Sequence, residues 1–380
     1  MIYLDNAATT QVSNSVLNAM LPYFRQDYGN AGSVHSMGAK CAKAVSEARE
    51  KCALPINADA DDIIFTAGGS EANNLAIRGL AEHLKSIGKM HIITTQVEHP
   101  SVLNTMEYMA TQGFHVEYLP VGNDGTLDIN KLRVAFKENT GLVSVMTVNN
   151  ETGNLYDVHQ IGAECAQHGA LFHTDCVQGY GNVEIDVKND NIDFLSVSGH
   201  KFHSPKGIGF LYARNKELLS PVIYGGGQEH SLRSGTENVP GIVGMGVAAE
   251  NAYHELTEWN WKRRDTNKRK TFLRELNANV DGVWVNGIPH EGSRTINLYI
   301  QGIDGETLLL MLNSRGVYVS AGSACSAHSA IPSHVLTAMG LTDLEARSSI
   351  RVSFSRYTTD KKLVEAAHII ADCVKTLRDV

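Results

Sequence analysis

The chain has 380 residues, with 33 Lys and Arg against 41 Asp and Glu, so its formal net charge at neutral pH is −8. A composition of 43% hydrophobic and 19% charged residues is typical of globular proteins and excludes collagen-like, coiled-coil and disordered chains. The negative charge argues against direct nucleic-acid binding. At roughly 150 residues per domain, the length predicts two or three domains.

The N-terminus and the cysteines predict a cytoplasmic protein with no membrane partner. No stretch approaches the roughly 18 uninterrupted apolar residues of a membrane helix. The first residues, MIYLDNAATT, lack the basic and apolar regions of a signal peptide. The scattered cysteines are expected to be reduced thiols, not a disulfide framework. They are Cys41, Cys52, Cys165, Cys176, Cys325 and Cys373.

From about residue 60 to residue 215, short β-branched runs alternate with amphipathic stretches of helical length. The predicted strands are residues 63–66, 91–94, 115–119, 142–146, 170–173, 194–196 and 208–212. The predicted helices between them are residues 70–84, 100–111, 129–136 and 158–168. This alternation predicts an α/β fold with a mainly parallel seven-stranded sheet covered by helices.

The rest of the chain predicts a functional loop and a smaller α+β domain. A glycine-rich passage over residues 225–236 precedes a helix over 239–256. A charged helix at 262–276, strands at 294–300, 317–320 and 350–354, and a last helix at 360–377 follow. We expect a large domain over 15–258 and a small domain formed by 1–14 and 259–380. The basic run at 262–270 is expected to be the solvated face of its helix.

Lys201 and Asp175 are the first candidates for chemistry. Lys201 follows a predicted strand, within SVSGHKFHSPKGIGFLY, and so can lie at the carboxyl end of the sheet where α/β folds bind ligands. A lysine in a loop is more often surface decoration. Asp175, however, ends another buried strand, and a buried carboxylate needs a cationic partner such as a protonated pyridine nitrogen.

The segment FTAGGSEAN, residues 65–73, is a candidate phosphate site. It is a strand, a glycine-rich turn and a helix start, which together aim free N–H groups and a helix dipole at an anion. An ordinary turn capped by Ser70 is the alternative. With a lysine for a Schiff base and a carboxylate for a pyridinium, the phosphate site completes what pyridoxal 5′-phosphate (PLP) requires.

The chain resembles the group I, NifS/IscS-like cysteine desulfurases, which are fold-type I PLP-dependent enzymes of the class-V aminotransferase family. The resemblance covers almost the full length, and several motifs in the right order make it specific. The matching segments are YLDNAATT (3–10), FTAGGSEANNLAI (65–77), VEHPSVL (97–103), NNETG (149–153), HTDCVQ (173–178), SVSGHKFHSPKGIG (196–209), GGGQEHSLRSGTENVPGIVG (225–244), SAGSACSAHSAIPSHVL (320–336) and SSIRVSFSRYTT (348–359).

The resemblance implies a role for each matching site residue. Lys201 would carry the Schiff base, Asp175 would hold the pyridine nitrogen, and His99 would stack on the ring and move protons. The other cofactor contacts implied are Gln178, Gly69, Ser70, Ser198, His200, Asn150 and, from the second subunit of a homodimer, Thr236. Asn150 and Arg351 would fix the substrate, L-cysteine. Cys325 would be the nucleophile that accepts sulfur as a persulfide.

The segment around Cys325 can also be interpreted from its own composition. Ser-Ala-Gly-Ser-Ala-Cys-Ser-Ala-His-Ser-Ala has almost no large apolar residue, so we expect a mobile loop with an exposed thiol, at about residues 320–332. A buried, inert cysteine is the alternative. His328 could assist deprotonation, although a surface histidine is the better interpretation.

Two alternatives are weighed against this assignment. Cys165, His168, His173 and Cys176 have zinc-like spacing, but helix and strand geometry would point them apart, so no metal is expected. A selenocysteine lyase, or another PLP-dependent lyase or aminotransferase, would share Lys201 and Asp175. The thiol of Cys325 favours desulfuration.

The departures from the family pattern bear mainly on the acceptor. Cys176, Gly199 and the pair Gly69-Ser70 replace small residues by small ones, so the cofactor site should be preserved. The chain ends soon after its last helix, without the tail that housekeeping members use to dock an iron–sulfur scaffold. The sulfur could therefore go to iron–sulfur cluster assembly, tRNA thiolation or DNA phosphorothioation.

Overall fold

The computed structural model describes residues 1–321 and 332–379, which form twelve strands and fourteen α-helices. The strands are β1 (Ile2–Tyr3), β2 (Ile63–Thr66), β3 (His91–Thr95), β4 (His115–Leu119), β5 (Thr140–Ser144), β6 (Leu171–Asp175), β7 (Phe194–Ser198), β8 (Gly209–Ala213), β9 (Val283–Asn286), β10 (Thr295–Ile300), β11 (Val317–Tyr318) and β12 (Ser349–Ser353). The helices are α1 (Asn14–Met20), α2 (Pro22–Arg25), α3 (Ser36–Ala53), α4 (Gly69–Gly79), α5 (Ala81–Ser86), α6 (Pro100–Thr111), α7 (Ile129–Ala135), α8 (Val158–His168), α9 (Val239–Thr257), α10 (Trp261–Asn277), α11 (Gly305–Ser314), α12 (His334–Ala338), α13 (Asp343–Arg347) and α14 (Asp360–Arg378).

A seven-stranded sheet is the centre of the larger part of the chain. Its order is β2-β8-β7-β6-β5-β3-β4, and every neighbouring pair is parallel except the two pairs that involve β8. Strands β3, β5, β7 and β8 are buried along their whole length because helices cover both faces of the sheet. The predicted α/β fold with a mainly parallel seven-stranded sheet is confirmed.

The helix predicted over residues 70–84 is instead two helices, α4 and α5. The carbonyl of Gly79 accepts a hydrogen bond from the N–H of Ser220, 2.9 Å away. A Cβ on Gly79 would lie only 3.0 Å from the carbonyl oxygen of Ser220. The chain therefore turns at Gly79 because a distant loop packs against its backbone, which a local pattern cannot predict.

A second hydrophobic core lies in the C-terminal part of the chain. The antiparallel sheet β12-β10-β9 and the parallel pair β1-β11 pack with α10, α11 and α14 around residues such as Phe272, Leu298 and Ile370. Ile2 and Leu4 belong to this same core, so the N-terminal strand is bound to the C-terminal sheet. The exact domain boundaries stay a prediction.

The basic run in α10 is only partly a solvated face, so that prediction was too simple. Arg264 donates to Glu255 of α9 at 2.6 Å and also pairs with the fully buried Asp265. Arg294, just before β10, joins the same two carboxylates. This ionic cluster connects α9 to α10 and to the start of β10.

In the described ranges, none of the helices is both long and apolar enough for a membrane span.

Candidate functional site

A cavity of about 200 Å³ opens where the central strands β6 and β7 end. Ten of the residues singled out from the sequence line it. They are Gly69, Ser70, His99, Asn150, Asp175, Gln178, Ser198, His200, Lys201 and Arg351. They converge because the parallel strands place their carboxyl ends on one edge of the sheet.

The Asp175 carboxylate is fixed at the end of β6. The N–H of Val177 donates to its Oδ1 at 2.9 Å, and Asn73 Nδ2 donates to its Oδ2 at 2.8 Å. Both donors fix the orientation of this buried carboxylate. A buried, oriented carboxylate of this kind suits a protonated ring nitrogen.

Lys201 is directed into the cavity by a single 3-10 turn, Gly199–Lys201, that follows β7. Its Nζ donates to the carbonyl oxygens of Ala7 at 2.6 Å and Ala8 at 3.0 Å. The N-terminal motif YLDNAATT therefore orients the lysine, although nearly 200 residues separate them. An amine held by two carbonyls beside Asp175 is positioned to react with a carbonyl carbon.

The turn before α4 has the geometry of an anion cradle. Gly68 precedes the helix with φ of +155°, and no side chain among the described residues caps the first N–H groups. A Cβ on Gly69 would lie 2.6 Å from Cγ2 of Val177, so a larger residue there would collide with the cavity wall. Free N–H groups at the positive end of an 11-residue helix bind a phosphate well.

His200 and Ser198 adjoin this cradle. Burial, with the nearby charges of Lys201 and Lys206, lowers the pKa of His200 to about 4. The imidazole is therefore neutral at physiological pH and can contribute a hydrogen bond, not a charge, to an anion. Its Nδ1 lies 3.2 Å from Oγ1 of Thr9.

His99 caps the helix α6. Its Nδ1 accepts the backbone N–H of Ser101 at 3.1 Å. Burial lowers the pKa of His99; the charge of Asp175 opposes the shift, while Lys201 and His334 add to it. The imidazole therefore remains neutral at physiological pH and can exchange a proton.

Arg351 is almost completely buried on β12. Its guanidinium donates to Asp5 Oδ1 and to the carbonyl of Asn150, each at 3.0 Å. Its Nε is buried and has no hydrogen-bond partner in the described part of the chain. Arg351 lines the cavity, and a guanidinium at that position is suited to a carboxylate ligand. The amide of Gln178 meanwhile donates to the carbonyl of Ala7 at 2.9 Å.

The remaining candidates are Thr236, Cys325 and His328. Thr236 is exposed, in the loop before α9, and does not line the cavity of its own chain. Cys325 and His328 lie outside the described residues.

Several residues at the site escaped the sequence analysis. Asn73 and Ser101 both line the cavity and hydrogen-bond to each other at 2.8 Å. Asn73 lies one turn beyond Ser70 in the phosphate motif, which was the available signal. Asp5, the partner of Arg351, lies in the YLDNAATT motif, and only the fold shows that the two residues meet.

Glu98 is a further unpredicted feature, immediately before His99. It is fully buried and accepts hydrogen bonds from Thr95 Oγ1 at 2.8 Å and from the N–H of Met146 at 3.0 Å. Burial raises the pKa of Glu98 to about 8, and the charge of Asp175 adds to the shift. A buried carboxyl group that stays protonated at neutral pH therefore lies next to His99, outside the lining of the cavity.

The zinc-like set of cysteines and histidines is divided between two environments. His173 on β6 lies between Ser144 Oγ at 2.8 Å and Ser196 Oγ at 3.0 Å, and burial lowers its pKa to about 3. Cys165 is buried on α8. Both ring nitrogens of His173 are thus occupied by serine hydroxyls.

The residues present fit PLP on the chemistry of their donors. The Asp175 carboxylate matches a pyridinium, the uncapped start of α4 matches a phosphate, and Lys201 supplies an amine between them.

Comparison with known proteins agrees with this fit. The family model for aminotransferase class-V matches residues 2–365. The chain is 44% identical over 380 residues to a cysteine desulfurase of Nostoc sp., covering 100% of this chain and 94% of the relative. A solved NifS-like protein is 34% identical with a TM-score of 0.91, covering 99% of each chain. The solved structure of SspA in complex with cysteine is 37% identical with a TM-score of 0.82, covering 94% of this chain and all of that one.

Proposed function

The chain belongs to the aminotransferase class-V family and, within it, to the cysteine desulfurases, and we propose that it transfers the sulfur of L-cysteine to the thiol of Cys325. The observation that carries the proposal is the convergence of Lys201, Asp175, His99 and Arg351 on one cavity. A relative of known structure binds cysteine, which supports this substrate.

The enzyme is PLP-dependent, and the bound cofactor supplies an electron sink for the carbanion at the substrate Cα. The chain's own residues hold that cofactor and the substrate. Asp175 would hold the ring nitrogen, and the start of α4, with Ser70, Ser198 and His200, would bind the phosphate. Gln178 would turn from the Ala7 carbonyl to donate to the ring oxygen.

The substrate would be oriented by Arg351 and Asn150. The planar guanidinium of Arg351 lines the cavity and suits a bidentate contact with an amino-acid carboxylate. The amine of Lys201 lines the same cavity and would take the proton from the substrate Cα. His99, neutral and half enclosed, would exchange a proton at the substrate.

The segment that carries Cys325 is attached to the cavity wall at both described ends. Before it, Ser320 pairs with Arg351, and the Ser320 N–H donates to the Arg351 carbonyl at 3.2 Å. After it, His334 Nε2 donates to the carbonyl of Glu98 at 2.9 Å. Cys325 follows Ser320 by five residues in the sequence. This attachment supports Cys325 as the sulfur acceptor.

The other cysteines are poorly suited to this role. The five described ones are all buried, and none of them lines the cavity. Burial raises the pKa of the Cys52 thiol to about 12 and raises those of Cys165 and Cys176 as well. A thiol that does not ionise is a weak nucleophile, so these side chains would not take sulfur.

The proposed transfer balances without an added oxidant. A bond forms between the sulfur atoms of Cys325 and the substrate, the substrate Cβ–S bond breaks, and Cβ gains a proton. L-cysteine and the thiol become L-alanine and a Cys325 persulfide. The persulfide sulfur would then pass to an acceptor for iron–sulfur cluster assembly, tRNA thiolation or DNA phosphorothioation.

We further propose a homodimer in which Thr236 of each chain reaches the phosphate site of the other. Thr236 is exposed and lies outside the cavity of its own chain, so only a second copy could bring it to a cofactor. Large exposed apolar side chains on α2 and after it, Phe24, Tyr28 and Val34, offer a surface that a second copy could cover. A cytoplasmic location stays a prediction.

The test is to incubate the purified protein with L-cysteine and a thiol reductant and to measure alanine and sulfide together. The wild type should give equal amounts of both. Cys325→Ala should retain the cofactor absorbance and lose both products. Cys165→Ala, which removes a buried cysteine away from the cavity, is the matched control and should turn over at the wild-type rate.

Two outcomes would contradict the proposal. Undiminished persulfide formation by Cys325→Ala would remove Cys325 as the acceptor. Release of pyruvate instead of alanine from wild-type protein would mean that the chain eliminates sulfide without transferring it to a thiol.

A further inference from the structure

A chain of four side chains connects the carboxylate at the cofactor ring to the imidazole of His99. It runs from Asp175 through Asn73 and Ser101 to His99. The distances are 2.8 Å from Asn73 Nδ2 to Asp175 Oδ2, 2.8 Å from Asn73 Nδ2 to Ser101 Oγ, and 2.8 Å from Ser101 Oγ to His99 Nδ1. We propose that Asn73 and Ser101 are positioning residues that keep His99 neutral with its proton on Nε2.

The direction of each hydrogen bond follows from the chemistry of the acceptors. An ionised carboxylate can only accept, so Asp175 requires the NH2 group of Asn73, and a reversed amide would place its carbonyl against the negative charge. The second N–H of that NH2 group then donates to Ser101 Oγ. The Ser101 hydroxyl has already accepted a bond, and its own proton is directed to the lone pair of His99 Nδ1.

The backbone adds a second donor at the same atom. The N–H of Ser101 lies 3.1 Å from His99 Nδ1, at the start of α6, and a backbone N–H cannot reverse its direction. With two donors aimed at Nδ1, a proton on that nitrogen would face both. The neutral imidazole with its proton on Nε2 is therefore the favoured form.

An unsatisfied atom indicates that this arrangement is maintained at a cost. Asn73 is buried, and its Oδ1 has no hydrogen-bond partner among residues 1–321 and 332–379. A buried carbonyl without a donor costs free energy. Asn73 accepts that cost while both of its N–H groups serve Asp175 and Ser101, which is expected of a residue retained for function rather than stability.

The inference deepens the proposed function and rests on it, because the Nε2 proton matters only if His99 exchanges protons with the substrate. The charged or titratable groups that face His99 are Asp175 on β6, Lys201 after β7 and His334 on α12. All three remain in place in Ser101→Ala, so a change in the ionisation of His99 in that variant can be assigned to Ser101. Asn73→Ala also removes a hydrogen bond to Asp175, so its effect is compared with and without Ser101→Ala.

The test is nuclear magnetic resonance of the full-length, histidine-labelled protein, with and without cofactor and before any cysteine is added. The His99 signal is identified by its loss in His99→Gln. In the wild type, the ring nitrogen shifts should show the proton on Nε2. In Ser101→Ala, loss of a donor to Nδ1 should raise the His99 pKa by about one unit.

Conservative and matched variants separate positioning from folding. Ser101→Thr keeps the hydroxyl and should keep the wild-type pKa of His99. Thr105→Val removes another hydroxyl of α6, one that donates to the Ser101 carbonyl at 2.7 Å, and should also leave that pKa unchanged. Asn73→Ala should shift the pKa less in a Ser101→Ala background than alone, because Asn73 acts through Ser101.

A wild-type proton on Nδ1, or an unchanged His99 pKa in Ser101→Ala, would overturn the inference. The position of the proton is read on wild-type protein, and His99→Gln serves only to assign the signal, so misfolding of Ser101→Ala or Asn73→Ala cannot hide the answer. In the loaded enzyme, the acid limb of kcat should move up in pH by the same amount as the His99 pKa in Ser101→Ala. If the His99 pKa moves but the acid limb of the kcat profile does not, Ser101 positions His99 as inferred. That result would contradict the proton transfer proposed for His99.

Discussion

The cofactor cavity and the glycine-rich loop over residues 225–237 are built in different ways. In the cavity, Asp175 and Ser198 are the last residues of buried strands, so the sheet fixes their positions. In the loop, three successive non-glycine residues, Glu229, His230 and Ser231, have φ values of 46°, 57° and 65°. Each left-handed residue costs roughly 1–2 kcal/mol, so this conformation needs support from outside the loop.

That support comes from the Glu229 side chain. Its carboxylate is 5% exposed and accepts two hydrogen bonds from Arg49 of α3, at 2.6 and 2.7 Å. It also accepts the N–H of Phe65 at the edge strand β2, 2.8 Å away. The comparison teaches that the core of one chain suffices to build the cavity, whereas the loop that presents Thr236 is held by ion pairs, from Glu229 to Arg49 and from Arg233 to Glu71 of α4.

The largest expected effect is on the chemistry of the cavity, with the fold unchanged. Lys201→Ala removes the amine that forms the Schiff base, so turnover of cysteine should fall by about 10³-fold or more. The absorbance of the cofactor linkage should disappear, while the midpoint of urea unfolding in cofactor-free protein stays near that of the wild type. A large loss of stability would mean that Lys201 supports the fold, contrary to the comparison.

The loop should respond in the opposite way, with a large loss of stability. Glu229→Ala leaves Arg49 half-buried without its partner and leaves the strained backbone unsupported, which should cost about 3–5 kcal/mol in the free energy of unfolding. Urea denaturation measures it. Glu237→Ala, at the end of the same loop, is the matched control and should stay within about 0.5 kcal/mol. Equal losses of stability in Glu229→Ala and Glu237→Ala would show that the ion pair of Glu229 does not support the loop.

The free energy of unfolding should depend on pH through Glu98, which lies next to His99. Its pKa of about 8 in the folded protein lies above the ordinary value of 4.5, so the folded state keeps a proton that the unfolded state loses. The stabilisation is complete below pH 4.5 and declines up to pH 8, with a slope of up to about 1.4 kcal/mol per pH unit. Glu98→Gln should remove this slope in denaturation measured from pH 5 to 8. An identical slope in both proteins would show that Glu98 is ionised when folded.

The smallest expected effect concerns the proposed contact between subunits. Thr236→Ala should weaken cofactor binding by roughly 3- to 10-fold, the equivalent of one hydrogen bond of about 1 kcal/mol. Cofactor fluorescence measures the affinity. In mixed dimers of Thr236→Ala with Ser70→Ala, one site should regain both hydroxyls and the other should lose both. Binding at a single intermediate affinity would place Thr236 at its own chain's cofactor.

The sequence predicted the strands and helices best where hydrophobic residues are large. Strands β2 and β4 and helices α6 and α8 have the predicted bounds. Helix α3 was not assigned because its buried face consists of small residues such as Cys41, Ala44 and Ala48, which give a weak hydrophobic pattern. The basic run in α10 was misread because its ionic partner Glu255 lies on another helix.

The sequence by itself determined the fold class, because hydrophobic periodicity and turn residues carry local information about backbone geometry. Its motifs also resemble those of a known family, and that resemblance supplied most of the ten residues that line the cavity. Only the tertiary structure decided which side chains meet. Asn73 lies between Ser101 and Asp175, 28 and 102 residues away along the chain. Arg351 meets Asp5 across the small sheet. Such contacts follow from strand order and packing, and local periodicity contains no information about either.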